Sequence, residues 1–289
     1  MALDRRSVAI GVLVLLAAAA VGVAAGAVLS ERSTTAGRAG PVGTTTAVPA
    51  PAPATTVAPA PAPSGPTVPV YVLGDTEGGP RLYREFRRSA DGEADAVESA
   101  TAGLADTPAD PDYRTPWTGV RVLRLSRSGQ DATVEFAGAP RLSGPAEAGL
   151  AVQQVVHTVT AADPRVKRVR VVAPGLPASL TWAPVSRAAQ LDVLAPIWLL
   201  SPADRGRAGR RLVLRGTASV FEATVNVEVR RGADVVAKAT ATATVGAPDR
   251  GDWTAAVTLP PGDYVLAAYE VSAKDGSRVS VDTKRVTVT

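Results

Sequence analysis

The pattern of hydrophobic and polar positions divides the chain into an N-terminal apolar segment, a linker and two folded domains. A charge-free apolar run occupies residues 7–29, and a stretch rich in Pro, Ala and Thr follows over residues 30–67. Strand-like and helix-like periods alternate over residues 68–180, whereas residues 190–289 show only short strand-like runs. These periods predict an α+β domain followed by an all-β domain.

The apolar run SVAIGVLVLLAAAAVGVAAGAVL (residues 7–29) predicts a transmembrane helix. At about 1.5 Å per residue it would be roughly 34 Å long, which is enough to cross the hydrocarbon core of a membrane. Arg5 and Arg6 precede it, which favours a cytoplasmic N-terminus (residues 1–6) and places both domains outside the cytoplasm. The alternative is a cleaved signal peptide and a secreted protein, since residues 25–27 (Ala-Gly-Ala) suit a signal peptidase.

Residues 30–67 are predicted to form a disordered spacer. Pro and Ala alternate within them in TTTAVPAPAPATTVAPAPAPSGP (residues 44–66). Proline lacks an N–H group and fixes φ, which prevents helices and strand ladders and favours the extended polyproline II conformation. At ~3.1 Å per residue this stretch would span on the order of 70 Å and hold a folded load away from a membrane.

Residues 68–180 follow the element order ββαββαβ. VPVYVLG and RLYREFRR predict two strands, a helix capped by Asp91 runs to about Ala105, and VRVLRLS with DATVEFA predicts a hairpin. A second helix covers about residues 145–162, and VKRVRVV (residues 166–172) is the last strand. This order favours an α+β domain whose helices cover one face of a small sheet.

The single histidine of the chain, His157, lies on the second helix. The core-facing stripe of that helix consists of Ala148, Val152, Val155 and Val159, and His157 lies about 170° from its centre when each residue turns the helix by ~100°. His157 therefore points to solvent or toward a neighbouring element. No GxSxG, HExxH or paired-carboxylate pattern accompanies it, so we expect no catalytic role.

Residues 190–289 contain seven short alternating runs separated by turn residues. In TVNVEV, the three valines Val225, Val227 and Val229 would face one side of a strand, and the polar residues between them the other. Seven strands in about 100 residues, without a helix, predict an immunoglobulin-like sandwich. Trp253 alternates with small and aliphatic residues, which favours a position in the core.

Composition limits the chemistry that the chain can perform. With no cysteine and one histidine, it cannot form disulfides, thiolate zinc sites or cysteine nucleophiles, and we predict neither a metal nor a cofactor. The formal charge of +4 is spread over all segments, so nucleic acid is not expected as a partner. Arg is far more frequent than Lys, and Ala, Gly and Pro are abundant, which is typical of a high-GC bacterium.

Residues 68–177 resemble the GerMN domain of bacterial sporulation and spore-germination proteins. The resemblance rests on VPVYVLGDTEGGPRLYREFRR, VRVLRLSRSGQDATVEFAG and AVQQVVHTVTAADPRVKRVRVV. Typical members carry an aromatic residue at the position of His157, and LADTPADPDY replaces their usual GP motif after the first helix. Residues 191–289, especially GTASVFEATVNVEVR and YEVSAKDGSRV, resemble the immunoglobulin-like module that often follows GerMN.

This resemblance implies a non-enzymatic protein of the cell envelope. The family has no established catalytic residues, and its known members are extracytoplasmic and often lipoproteins. This chain has no cysteine for a lipid anchor, so the helix at residues 7–29 would anchor it instead. We therefore predict a membrane-tethered protein that binds partner proteins or cell-wall polymer in sporulation, germination or wall remodelling.

Two alternative functions would use other residues. A carbohydrate-active hydrolase would use Asp106, Asp110 and Asp112, although three acids in a Pro-rich loop more often form a solvated turn or a loose calcium loop. A binding module for anionic polymers would use the arginines crowded into DRGRAGRRLVLR. The residues predicted to contact such a polymer are Arg205, Arg207, Arg210 and Arg211.

Overall fold

The computed structural model of the protein describes residues 66–89 and 95–289. The predicted transmembrane segment and all but the last two residues of the predicted linker lie outside these ranges. Within the described part of the chain, no helix is both long and apolar enough to span a membrane. The Ser89 amide donates a hydrogen bond to the Pro66 carbonyl, so the folded region begins slightly before residue 68.

The first domain contains two sheets of three strands each. Its strands are β1 (Thr67–Thr76), β2 (Gly79–Arg88), β3 (Tyr113–Arg114), β4 (Val122–Ser128), β5 (Asp131–Phe136) and β6 (Arg168–Val172). Its helices are α1 (Ala96–Ala102) and α2 (Glu147–Ala162). The sheet orders are β2-β1-β3 and β4-β5-β6, so the expectation of a single small sheet was wrong. The predicted order of strands and helices along the chain is confirmed, and the short strand β3 is an addition to it.

Helix α1 is capped by Asp95. The Asp95 carboxylate accepts hydrogen bonds from the amides of Val97 and Glu98 at 2.9 and 3.3 Å. These amides have no partner within the helix, and a short acidic side chain satisfies them at low cost in conformational freedom. Asp91, the cap that the sequence predicted, lies outside the described residues, and the helix begins at Ala96.

Helix α2 is buried on two sides. The predicted stripe of Ala148, Val152, Val155 and Val159 is buried in the core shared with β5 and β6. The opposite side faces β1, where the two-residue strand β3 pairs only with Leu73 and Gly74. At Tyr71, side chains of the helix complete part of the remaining edge of β1.

Two polar side chains of α2 complete the backbone of β1 at Tyr71. The Tyr71 amide donates to Thr158 Oγ1 at 3.0 Å, and Gln154 Nε2 donates to the Tyr71 carbonyl at 2.8 Å. Gln154 and Thr158 have no solvent exposure. Since a buried backbone group without a partner is costly, these polar residues are part of the packing of α2 against the sheet.

The segment between the two domains is folded onto the first of them. It contains the short helices α3 (Ala178–Thr181) and α4 (Gln190–Val193). Val185 forms an isolated antiparallel bridge with Val169 of β6, and Leu194 forms a parallel bridge with Leu82 of β2. The connection is therefore held by backbone pairing at both ends.

The second domain is a two-layer arrangement of β-sheets. Its strands are β7 (Ile197–Ser201), β8 (Gly206–Ala208), β9 (Arg211–Ala218), β10 (Thr224–Arg231), β11 (Asp234–Thr242), β12 (Gly251–Thr258), β13 (Gly262–Val271) and β14 (Arg278–Val288). One sheet has the order β11-β10-β13-β14-β8, and the other has the order β12-β9-β7. All seven predicted strands are present, and the additional strand β8 lies in the basic loop and pairs in parallel with β14.

The core of the second domain is built by alternating residues, as the sequence predicted. Val225, Val227, Val229 and Trp253 are buried in one apolar cluster between the two sheets. Gly216 of β9 lies against this cluster, and a Cβ atom there would come within 1.9 Å of the Trp198 carbonyl oxygen and 2.6 Å of the Trp253 ring. Only glycine fits at this position because backbone from the neighbouring strand fills the space.

A third apolar cluster joins the two domains. It is formed by residues of β1, β2 and β3 from the first domain together with α4 and β7 from the second half of the chain. Trp198 Nε1 donates to the Leu82 carbonyl at 3.1 Å, and the Ala195 amide donates to the same oxygen at 2.9 Å. The domains therefore share a core, and both belong to one compact unit.

Candidate functional site

Buried ionisable groups from both domains meet beside the shared core. Lys284 and Asp282 lie two residues apart on β14 and so project from the same face of the strand. Lys284 Nζ donates to the carboxylate of Asp110 and, at 2.7 Å, to the hydroxyl of Tyr113, which in turn donates to Asp282 Oδ1 at 2.7 Å. The Asp282 carboxylate also accepts from the Leu199 amide at 2.6 Å. We call Asp110, Tyr113, Asp282 and Lys284 the interdomain polar cluster.

Burial controls the protonation of this cluster. It raises the pKa of Asp282, against the lowering effects of Lys284, the Leu199 amide and Tyr113. It also raises the pKa of Asp110, although Lys284 opposes this, and it raises the pKa of Tyr113 well above its usual value. The side chains of Lys284, Asp110 and Asp282 are 6, 3 and 2% exposed, and a small cavity of about 130 Å³ borders Asp110, Tyr113 and Lys284. The cluster is suited to holding the domains together.

The structure places the three acids considered for hydrolysis in separate contacts. Asp106 is exposed and pairs with Arg87 at 3.5 Å. Asp110 belongs to the interdomain polar cluster, and Asp112 accepts a hydrogen bond from Thr283 at 2.6 Å. The interpretation of this loop as a solvated turn is therefore wrong for Asp110, because the loop docks against β14. No group of three or more metal-binding side chains occurs among the described residues.

His157 is buried against β1. It is 2% exposed, and its ring lies 5.1 Å from the Tyr71 ring, centroid to centroid. Of the two orientations left open by the sequence, the one toward a neighbouring element is confirmed and the one toward solvent is wrong. Neither ring nitrogen has a hydrogen-bond partner. Burial, together with the nearby charges of Arg187 and Arg250, lowers the pKa of His157 to about 3, so the ring is neutral at physiological pH.

The four arginines of the basic loop are exposed. Arg205 lies 3.7 Å from Asp204, whose carboxylate is held mainly by Arg285 at 2.8 Å. Arg205 also lines a cavity of about 400 Å³ at the edge of the second domain, together with Asp263, Tyr264 and Arg285. Arg207 lies on β8 and Arg211 begins β9, so the loop is more ordered than the turn-rich connection that the sequence suggested.

A cavity of about 670 Å³ lies at the N-terminal end of α2. Acidic and basic groups alternate around it, among them Asp75, Arg114 and Glu147. Burial alone would raise the pKa of Glu147, but hydrogen bonds from the Ser143 amide and the Arg114 guanidinium lower it below its usual value. The charges of this cavity therefore compensate one another.

Sequence patterns indicated only part of these sites. Tyr113, Asp282 and Lys284 were not identified as a group because they are far apart in the chain. A signal was present, since Asp282 and Lys284 are two charged residues in register on one face of a strand whose other inward residues are apolar. Such positions indicate either a functional group or a contact with another part of the molecule.

Comparison with protein families gives two matches that follow one another in the chain. Residues 69–178 match the Germane family, described as sporulation and spore germination. Residues 196–277 match the Gmad2 family, described as the immunoglobulin-like domain of bacterial spore germination. Neither family is known as an enzyme family. No curated protein matches the chain significantly.

Several solved structures are similar to parts of the chain. One contains the tandem GerMN domains of the sporulation protein GerM from Bacillus subtilis, with 22% identity, a TM-score of 0.33 and coverage of 42% of this chain. The chain spans 44% of the length of that structure. CopC from Methylosinus trichosporium has 20% identity and a TM-score of 0.24 over 32% of this chain and 92% of its own. A CARDB domain from Pyrococcus furiosus, solved in complex with di-metal ions, has 14% identity and a TM-score of 0.20 over 33% of this chain and 96% of its own.

Proposed function

Because the chain joins a GerMN domain to the immunoglobulin-like domain of bacterial spore germination, we propose that it is a non-enzymatic binding protein of the cell envelope that acts in sporulation or germination. Its two domains would act as one rigid unit that presents a composite surface to a partner protein. An N-terminal helix (residues 7–29) would anchor this unit in the membrane, and the Pro/Ala-rich spacer would hold it at a distance from the lipid surface.

The observation that supports this proposal best is the way in which the two domains are joined. Both contribute to one apolar cluster, and four buried polar groups connect them. Domains of one chain that only need to be near each other usually share smaller and more polar interfaces. A fixed relative orientation matters for a protein whose task is to bring two surfaces to one partner, since it avoids the entropy cost of ordering the domains on binding.

The tether is tested by fractionation of cells that produce the full chain. We expect the protein in the membrane fraction after extraction with carbonate, and protease added from outside should release a fragment by cutting within residues 34–66. Mature protein in the culture medium, with an N-terminus near Val28, would contradict the anchor and favour cleavage of a signal peptide.

The binding function is tested by crosslinking in native membranes. A photoreactive amino acid placed at an exposed apolar residue of either domain, such as Phe86 or Phe221, should capture the same partner from both positions. The matched control places the probe at Trp117, which is fully buried and should capture nothing. The proposal would be refuted if neither exposed position captured an envelope protein in sporulating or germinating cells.

The basic loop supports a second candidate function, the binding of anionic cell-wall polymer. Its four arginines are exposed, so attraction of a polyanion would be electrostatic and screened beyond roughly 8 Å at physiological salt. Replacing Arg205, Arg207, Arg210 and Arg211 with Gln should abolish sedimentation of the protein with purified cell walls at low salt. Equal sedimentation of wild type and variant would rule out this loop as the contact.

A further inference from the structure

A surface cleft of about 690 Å³ lies between the C-terminal end of α2, strands β1 and β2 and the connection between the domains. Three cationic side chains line it, namely Arg84 of β2, Lys167 beside β6 and Arg187 of the connection. The hydroxyl-bearing residues Tyr71, Thr160 and Ser186 line it as well. None of the described residues that form its walls is acidic.

Among the described residues, no carboxylate forms an ion pair with any of these three cations. Neighbouring arginines differ in this respect. Arg165 pairs with Asp163 at 2.9 Å, and Arg168 pairs with Asp131 at 2.7 Å. Arg165 and Arg168 are thus compensated by carboxylates, whereas the three cations of the cleft are not.

Protein contacts hold two of the cations in place without neutralising them. Arg187 Nε donates to Thr160 Oγ1 at 2.7 Å, and its Nη2 donates to the His157 carbonyl at 3.4 Å. The Arg84 guanidinium lies over the rings of Phe86 and Trp198, with its carbon atom 4.8 and 5.3 Å from their centroids. Stacking occupies the faces of a guanidinium and leaves the N–H edges of its terminal nitrogens free to donate.

A fourth positive charge increases the imbalance. The Arg250 guanidinium also lies over Trp198, at 4.2 Å, and donates to the carbonyls of Ala195 and Pro196, at 2.6 and 3.4 Å, but not to a carboxylate. Burial lowers the pKa of Arg250 to about 10, with a further lowering contribution from Arg84. The charges of Arg187 and Arg250 likewise disfavour the protonated form of His157. Carbonyl oxygens near the C-terminal end of α2 accept hydrogen bonds from Arg187 and Lys167, but among the described residues no carboxylate neutralises the cations of the cleft.

We infer that this cleft binds a phosphoryl group, with Arg84, Arg187 and Lys167 as its ligands. Two guanidinium groups and an ammonium group match a tetrahedral anion with a charge near −2 better than they match a single carboxylate. The hydroxyl group of Ser186 lines the cleft beside the cations, whereas the Thr160 hydroxyl already donates to the Val156 carbonyl at 2.6 Å. This inference deepens the proposed envelope function by assigning a chemical class of ligand to one site, and it does not depend on a partner protein.

The test uses the purified full chain and inorganic phosphate as the probe. Because His157 is the only histidine of the chain, its imidazole signals in an NMR spectrum are assigned without ambiguity, and its ring lies against Tyr71, which lines the cleft. Phosphate should shift these signals with saturation in the millimolar range or below and should raise the pKa of His157, since it offsets the charge of Arg187. The doubly substituted Arg84→Gln, Arg187→Gln variant should bind phosphate at least about tenfold more weakly, as expected for the loss of charged hydrogen-bond donors.

Three further variants separate binding from folding. Lys167→Gln changes an exposed residue, so it should keep the fold and still weaken phosphate binding. Arg84→Lys retains the charge but loses the planar donor edge, and we expect intermediate affinity. Arg124→Gln, which removes an exposed arginine of β4 that does not line the cleft, is the matched control and should bind phosphate as the wild type does.

The source of the phosphoryl group is distinguished by competition. Two competitors are added separately to the phosphate complex of the wild type, namely a soluble poly(glycerol phosphate) and vesicles of phosphatidylglycerol with phosphatidylcholine. Displacement of phosphate by the first identifies a wall polymer as the source, and displacement by the vesicles identifies a lipid. Displacement by neither identifies free phosphate. The inference is overturned if phosphate leaves the His157 signals unchanged, if acetate competes as well as phosphate does, or if Arg124→Gln weakens binding as much as the cleft variants. None of these outcomes depends on the crosslinking result that tests the proposed function.

Discussion

His157 is a neutral imidazole held inside the protein without a hydrogen bond to either ring nitrogen. An aromatic ring at this position would keep the contact with Tyr71 and remove two polar atoms from an environment that does not satisfy them. The family resemblance, which implies an aromatic residue here, agrees with this environment. At the residue scale, packing and not chemistry explains the only histidine of the chain.

The His157→Phe substitution should therefore stabilise the protein. We expect the free energy of unfolding to rise by about 1 kcal/mol, because the cost of burying unpaired polar groups exceeds the strain of a slightly larger ring. His157→Ala should lower it by about 2–4 kcal/mol, since it leaves a cavity in a packed region. Chemical denaturation of the full chain measures both, and a less stable Phe variant would show that the ring nitrogens have partners after all.

The same residue predicts a dependence of stability on pH. The pKa of His157 is lowered from 6.5 to about 3 by burial and by neighbouring arginines. Between these two values the unfolded chain binds a proton that the folded chain does not, so stability falls as the pH is lowered from 6.5. The slope approaches about 1.4 kcal/mol per pH unit. The slope is measured from the difference in the free energy of unfolding between wild type and His157→Phe at each pH, because the titration of carboxylates cancels in this difference. A difference that does not change with pH would contradict the burial of a neutral imidazole.

At the scale of secondary-structure elements, α2 has two roles. Its apolar stripe packs on β5 and β6, while Gln154 and Thr158 substitute for a missing strand along β1. Helical periodicity identified the first role because apolar residues repeat along one side. Periodicity did not identify the second role. The backbone of β1 at Tyr71 is open to α2 only because β3 is short and ends before it, and no local pattern in α2 encodes the length of β3.

Thr158→Val tests this second role. Valine has nearly the same shape as threonine but cannot accept the hydrogen bond from the Tyr71 amide, so that amide is left buried without a partner. We expect a loss of about 1–3 kcal/mol in the free energy of unfolding and faster hydrogen exchange at Tyr71. In the control, Thr254→Val, an exposed threonine of β12 changes and stability should stay within about 0.5 kcal/mol of the wild type. Unchanged exchange at Tyr71 in Thr158→Val would contradict the role assigned to α2.

At the scale of the whole molecule, the contact between the domains combines apolar packing with buried charge. Lys284 is the cation that compensates Asp110 and Asp282, and all three are inaccessible to solvent. Buried ion pairs are costly to form, yet they are still more costly to break from one side, because the remaining charge has no water and no partner. The orientation of the two domains is therefore sensitive to this one side chain.

Lys284→Met should destabilise the protein by about 3–5 kcal/mol at neutral pH and separate the unfolding of the two domains. Part of this loss should be recovered on acidification, since burial raises the pKa values of Asp110 and Asp282 and protonation removes their charge. Denaturation followed by tryptophan fluorescence, with Trp117 in the first domain and Trp253 in the second, distinguishes the two transitions. A single transition with an unchanged midpoint would mean that the cluster does not couple the domains.

The sequence by itself determined the elements and their order. Alternation of apolar residues located all seven strands of the second domain and the burial of Trp253, and helical periodicity located α2 and its core stripe. These features are local, because a period of two or of 3.6 residues is encoded within a single element. The family resemblance, which also rests on contiguous segments, was confirmed by the two family matches.

Tertiary structure alone decided the division of the first domain into two sheets, the burial of His157 and the docking of one domain on the other. Asp110 lies in a loop with the composition of a solvated turn, yet it is buried because Lys284, 174 residues later, lies opposite it. Likewise, Arg84 and Arg187 form one cleft only because β2 and the interdomain connection meet beside α2. Contacts between distant segments depend on how the elements pack, and the periodicity of each element specifies which face is buried but not which surface will cover it.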